Sequence, residues 1–80
     1  MDWNNTQNKL QKTFAFKDFL EAMAWMQKAA PVIDKLNHHP EWTNVYDRVT
    51  VHLNTHDAGG KVTAKDVDLA RKIQGISWVG

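Results

Sequence analysis

Apolar residues recur at two periods along this chain, and the switches between them outline six elements. Leu10, Phe14 and Phe16 fall on one side of an extended segment, with Lys12 interrupting the alternation. Residues 3–9 supply its hairpin partner, turning in an Asn/Gln-rich stretch. The period then lengthens. Phe19, Met23, Met26, Ala30 and Ile33 lie four, three, four and three residues apart, which predicts a helix over about residues 17–37 with that stripe inward. Asp18 and Glu21 give it a start of capping-box type. Pro31 removes the hydrogen bond its N–H would give to the Gln27 carbonyl, predicting a kink or break that costs roughly 3 kcal/mol.

Period two returns after Pro40. Residues 42–46 and 49–55 read as strands around a tight Asp47-Arg48 turn. Val49, Val51 and Leu53 face one way; Thr50, His52 and Asn54 face the other. Residues 57–61 form a loop. Thr63, with Asp66 three residues on, opens a second helix whose core stripe is Val67, Ala70 and Ile73, with Leu69 beside it. Gly75 ends that helix, and Ile76, Trp78 and Val79 belong to an apolar tail that either covers the core or seals an interface. The order ββαββα predicts an α+β fold, a four-stranded antiparallel sheet with helices packed on one face. No repeat or linker divides the chain, so residues 1–80 are read as a single domain.

Composition narrows the function. A chain of 80 residues buries only about two-thirds of its unfolded surface, so self-association is a ready source of further burial. Hydrophobic residues at 42%, with four tryptophans, suffice for a packed core. A net charge of +1 gives no electrostatic case for nucleic acid or an anionic membrane. There is no cysteine, hence no disulfide and no thiolate chemistry. No basic-then-apolar leader and no bilayer-length apolar run occurs, so a soluble cytoplasmic protein is expected.

The histidines carry the candidate chemistry. His38 and His39 precede Pro40 at the expected helix exit, and His56 follows the second strand of the hairpin. Imidazole both gives and takes protons near neutral pH. Three readings compete. His38-His39 at a helix C-terminus can simply satisfy the last carbonyls and the dipole, and a residue before proline suits a helix exit. Asp34, His38 and His56 can converge on zinc, although adjacent histidines rarely share an ion and no thiolate is present. The third reading is a metal-free acid–base site, if the returning strand brings His56 beside the helix exit. Nucleophilic catalysis has no serine or cysteine arranged with a histidine, and Gly59-Gly60 lacks a phosphate-loop pattern. His52, on the alternate strand face, reads as a surface residue.

Asp34-x-x-x-His38-His39-Pro40-x-Trp42-x-Asn44-Val45-Tyr46, followed by Val49, Leu53, Thr55-His56-Asp57 and Asp66, resembles the pterin-4a-carbinolamine dehydratases. These proteins are also known as the dimerisation cofactors of a hepatocyte homeodomain factor. The likeness extends over most of the chain, including Trp3-Asn4 and Phe16-Lys17-Asp18-Phe19. Two departures stand out: the chain begins near the first strand, where animal relatives carry a preceding helix, and the loop from His56 to Asp66 is one residue longer, with Lys61-Val62.

The resemblance implies dehydration of a 4a-hydroxytetrahydropterin to the quinonoid dihydropterin, which recycles the pterin of aromatic amino-acid hydroxylases. It implies no metal and no organic cofactor, a small-molecule pterin as partner, and a homodimer or homotetramer built through helix and strand-edge contacts. His38, His39 and His56 are the implied catalytic set, with His38 and His56 moving protons and His39 binding the pterin. Asp34 would orient His38 or raise its pKa. Trp42 would wall the pterin ring or join the core, and Asp57 would bond a histidine or open the loop. Asp66 is either a site residue or only the third position of the cap with Thr63. The competing expectation is a non-catalytic pterin-binding or protein-interaction module, coactivator-like or molybdopterin-related.

Overall fold

Cross-strand register decides which residues the sheet turns toward the helices. The computed structural model describes residues 3–6, 8–55 and 59–76. Their elements run β1 (Asn4–Thr6), β2 (Lys9–Ala15), α1 (Phe19–Leu36), β3 (Glu41–Val45), β4 (Arg48–Leu53) and α2 (Ala64–Gln74). The sheet order is β1-β2-β4-β3, with every neighbouring pair antiparallel. This is the predicted ββαββα arrangement.

In the central pair Leu10 faces Leu53, Lys12 faces Val51 and Phe14 faces Val49. The apolar members are all buried and form the floor of the core. Lys12 keeps its place on that face by setting its ammonium 5.4 Å from the centroid of the Phe14 ring. Its alkyl stem thus covers apolar surface while the charge meets an aromatic face. The opposite face is polar, with the Thr13 and Thr50 hydroxyls 3.0 Å apart.

Helix α1 presents a different stripe from the one its periodicity suggested. Ala22, Trp25, Ala29 and Ile33 are buried, Met26 packs partly, and Phe19 and Ala30 lie on the exposed side. Ring size explains the rotation. Trp25 sets its centroid 4.6 Å from Phe14 and 5.6 Å from Phe16. Alanines about one turn away on either side let the helix approach the sheet closely enough for that packing. The helix also runs unbroken through Pro31. Gln27 and Pro31 are both exposed, so water can take the place of the missing N–H donor.

The β3–β4 turn uses Tyr46 and Asp47, one residue earlier than expected, because Val45 pairs with Arg48. Tyr46 has φ +51°, in the left-handed region. The Asn44 amide holds the turn by donating to the carbonyls of Tyr46 and Arg48 at 3.3 and 3.0 Å. At the far end of the core, the buried Trp3 indole N–H donates to the Gln74 side-chain carbonyl at 2.8 Å, tying the first strand to the last turn of α2. Ile76 packs partly against the core; Trp78 and Val79 lie outside the described residues.

Candidate functional site

Helix α1 stops where Asn37 takes φ +52°, a left-handed C-cap whose N–H donates to the Asp34 carbonyl at 3.0 Å. That reversal throws His38 toward α2 and leaves His39 on the other side of the chain. The two neighbouring histidines therefore meet different partners.

His38 places Nε2 2.6 Å from Oδ1 of Asp66, with only 15% of its own side chain exposed and none of the aspartate's. Asp66 sits at the third position of α2, and its Oδ2 accepts from the Thr63 N–H at 2.8 Å, as the cap reading expected. The same oxygen accepts from the Thr55 hydroxyl at 2.8 Å. Asp66 is thus both cap and histidine partner. Burial alone pushes its pKa up; the hydrogen bonds from His38, the Thr63 N–H and the Thr55 hydroxyl outweigh that and hold it below the ordinary 3.8. An ionised carboxylate only accepts, so Nε2 of His38 carries a proton. Nδ1 is then the ring atom of a neutral His38 free to take a proton. His38 borders a small cavity of about 110 Å³ shared with Lys65 and Asp68.

Asp34 does not orient His38. Its Oδ1 lies 3.6 Å from Nε2 of His39, with both groups largely exposed. Four-residue spacing put Asp34 and His38 on one face only if the last turn stayed helical, and Asn37 ends that turn. His39 borders a cavity of about 350 Å³ with Lys9, Pro40, Glu41, His52 and Asn54. A second one, of about 360 Å³, joins it to Asp34 and Trp42. Trp42 packs on the core, 6.3 Å from the Trp25 ring, and its remaining surface lines that cavity.

His52 was missed by strand alternation. It is half-buried rather than a surface residue, and its Nδ1 is out of solvent with no protein partner among the described residues. It pairs with Glu41 across the β3–β4 ladder and borders the same cavity as His39, a relation that only sheet register shows. His56 and Asp57 lie outside the described residues. Among the described residues no group of three or more histidine, cysteine or acidic side chains stands close enough to hold a metal ion. No described helix is long and apolar enough to cross a membrane.

Comparison with known proteins gives this geometry a context. Residues 1–76 match the family model described as pterin 4 alpha carbinolamine dehydratase. A protein of Opitutus terrae named "Putative pterin-4-alpha-carbinolamine dehydratase" is 63% identical over 78 residues, covering 98% of this chain and 80% of its own. One of the same name from Bradyrhizobium diazoefficiens is 53% identical, covering 95% and 77%. Among solved structures, a transcriptional coactivator/pterin dehydratase from Brucella melitensis superposes with a TM-score of 0.82 at 42% identity, over 90% of this chain and 78% of that one. A pterin dehydratase-like protein described as a RuBisCO assembly factor in the alpha-carboxysome superposes with a TM-score of 0.74, covering 94% and 89%. At 18% identity that likeness bears on the fold alone. By its sequence match along nearly its full length, this chain belongs to the pterin-4a-carbinolamine dehydratase family.

Proposed function

We propose that this protein dehydrates a 4a-hydroxytetrahydropterin by metal-free acid–base catalysis. The observation that carries the reading is the His38–Asp66 pair: an imidazole held at 2.6 Å by a fully buried carboxylate. In the reaction the C4a–oxygen bond breaks and the hydroxyl leaves as water after receiving a proton. The adjacent ring nitrogen loses its proton, and the freed N–H pair forms the new C=N bond of the quinonoid dihydropterin. Oriented proton donors and acceptors suffice, and typically contribute about 10²–10⁴-fold.

His38 and His56 move the protons in this proposal, while His39 binds and orients the pterin at the cavity it borders with Trp42. Glu41 and the half-buried His52 offer polar contacts for the pterin at the neighbouring opening. A homodimer or homotetramer and a cytoplasmic location are part of the same proposal; light scattering during gel filtration tests the first.

The decisive experiment follows decay of freshly generated 4a-hydroxytetrahydropterin with chelator-treated protein. Acceleration that survives chelation, falls in His38→Ala and His56→Ala, and needs more substrate in His39→Ala supports the reading. Equal activity in all three variants rules it out.

A second reading, a protein-binding module without catalysis, draws on one surface feature. Phe19, Leu20, Val45 and Tyr46 are exposed at the end of the molecule where the Phe16 N–H donates to the Asp47 carbonyl at 2.8 Å. The Brucella melitensis protein, described as a transcriptional coactivator/pterin dehydratase, fits such a role. A folded protein that binds a reduced pterin without accelerating its dehydration would favour this second reading.

A further inference from the structure

We infer that Thr55 is a positioning residue, whose hydroxyl fixes the Asp66 carboxylate and thereby the tautomer and aim of His38. The inference rests on the acid–base reading of His38 given above.

At the start of its own helix Asp66 accepts from the Thr63 N–H at 2.8 Å, with the Thr63 hydroxyl farther off at 3.5 Å. The terminal torsion of a carboxylate is a broad one, so contacts from one residue on Oδ2 fix its plane less well than contacts from two. Thr55 supplies a second contact to the same oxygen from a different element, the segment leaving β4. Two donors on Oδ2 set the plane of the group and leave Oδ1 pointing at His38.

Proton accounting supports the direction of each bond. Thr55 has one hydroxyl proton, and the ionised carboxylate claims it. The Thr63 hydroxyl, 2.5 Å from that of Thr55, then donates to the Thr55 oxygen. The result is a polarised chain from Thr63 to Thr55 to Asp66 to His38. Thr55 is only 6% exposed, so water is poorly placed to replace its hydroxyl.

The Thr55 backbone adds a second link. Its N–H donates to the Lys61 carbonyl at 2.8 Å, and its carbonyl accepts from the Gly60 N–H at 3.1 Å. These bonds tie the end of the β4 segment to Gly60 and Lys61. One threonine therefore orients the partner of His38 through its hydroxyl while its backbone is itself held on both sides. Valine has the same shape and would serve a packing role equally well. Only the hydroxyl distinguishes the two.

The test compares Thr55→Val and Thr55→Ser with the parent protein by nitrogen-15 NMR of the His38 ring and by steady-state turnover across pH. Among the described residues, the charged groups that share the small cavity with His38 are Lys65 and Asp68, left unchanged in both variants. The parent and Thr55→Ser are expected to show a slowly exchanging Nε2 proton on His38. Thr55→Val should lose that protection and drop kcat on the order of tenfold with KM within about twofold, as loss of orientation does. Thr55→Ala takes the place of Thr55→Val if the valine variant does not fold. An unchanged Nε2 proton and kcat in the folded valine or alanine variant overturns the inference, and so does a serine variant that behaves like valine. The NMR result stands without any turnover, so an inactive parent protein would sink the dehydratase reading and leave this one to be judged on its own.

Discussion

Asp66 Oδ1 lies 2.6 Å from Nε2 of His38, although 28 residues separate them, and the contact joins the exit of α1 to the first turn of α2. The same carboxylate caps α2 and takes the Thr55 hydroxyl. Replacing it removes three interactions at once. Asp66→Ala should cost about 1–3 kcal/mol for the orphaned buried donors and about 1 kcal/mol more for the lost cap. Urea unfolding checks this; a loss below about 0.5 kcal/mol, the range of ordinary surface changes, would contradict it.

The low pKa of Asp66 makes stability depend on acidity. Its folded value is held below the ordinary 3.8, so near that pH the unfolded chain binds more protons than the folded one. The contribution is complete above 3.8 and disappears as pH falls through the lower folded value. The melting-temperature gap between the parent protein and Asp66→Asn should therefore be wide at about pH 6 and narrow toward about pH 3. Parallel melting curves across that range would contradict the assignment.

Asp34 provides the contrast. Its carboxylate is 86% exposed and 3.6 Å from the imidazole of His39, itself 58% exposed. Solvent screens such pairs, so Asp34→Asn should change stability by less than about 0.5 kcal/mol. The NMR signature of the His38 ring should be untouched. A shift in that signature would place Asp34 in the His38 arrangement after all.

Trp25 is the centre of the core, wholly buried between Phe14, Phe16 and Trp42. Trp25→Ala should cost about 3–5 kcal/mol. Its indole N–H is buried without a hydrogen-bond partner among the described residues, so Trp25→Phe relieves an unsatisfied donor while losing volume. Its cost should be clearly smaller, as differential scanning calorimetry can measure.

Tyr46 holds φ +51° in a two-residue turn while its side chain is 65% exposed. A non-glycine residue pays about 1–2 kcal/mol for that backbone, little of it repaid by packing at such exposure. Tyr46→Gly should therefore raise the melting temperature by a few degrees, roughly 4–8 °C per kcal/mol gained in a domain this size. Unchanged or lower melting would show that the ring contributes more than its exposure suggests.

Local chemistry was legible where one residue type has one dominant use. Asp18 as N-cap and the Thr63–Asp66 cap follow from short-range hydrogen bonding. Tyr46 in a position that asparagine or glycine usually fills gave no such signal, and the turn was placed one residue late. The helix stripe was rotated for a related reason: periodicity weighs Met23 and Ala22 by hydrophobicity, whereas packing selected alanines to make room for Trp25.

The sequence by itself determined the element order, the α+β fold and the family. Each of these depends on spacing or residue type along the chain. Tertiary structure alone decided who pairs with whom: His38 with Asp66, His39 with Asp34, His52 with Glu41, and Thr55 with the carboxylate between strand and helix. Those relations depend on helix exits, sheet register and the packing of α2, and a hydrogen bond formed across 28 residues leaves no period in the chain that makes it.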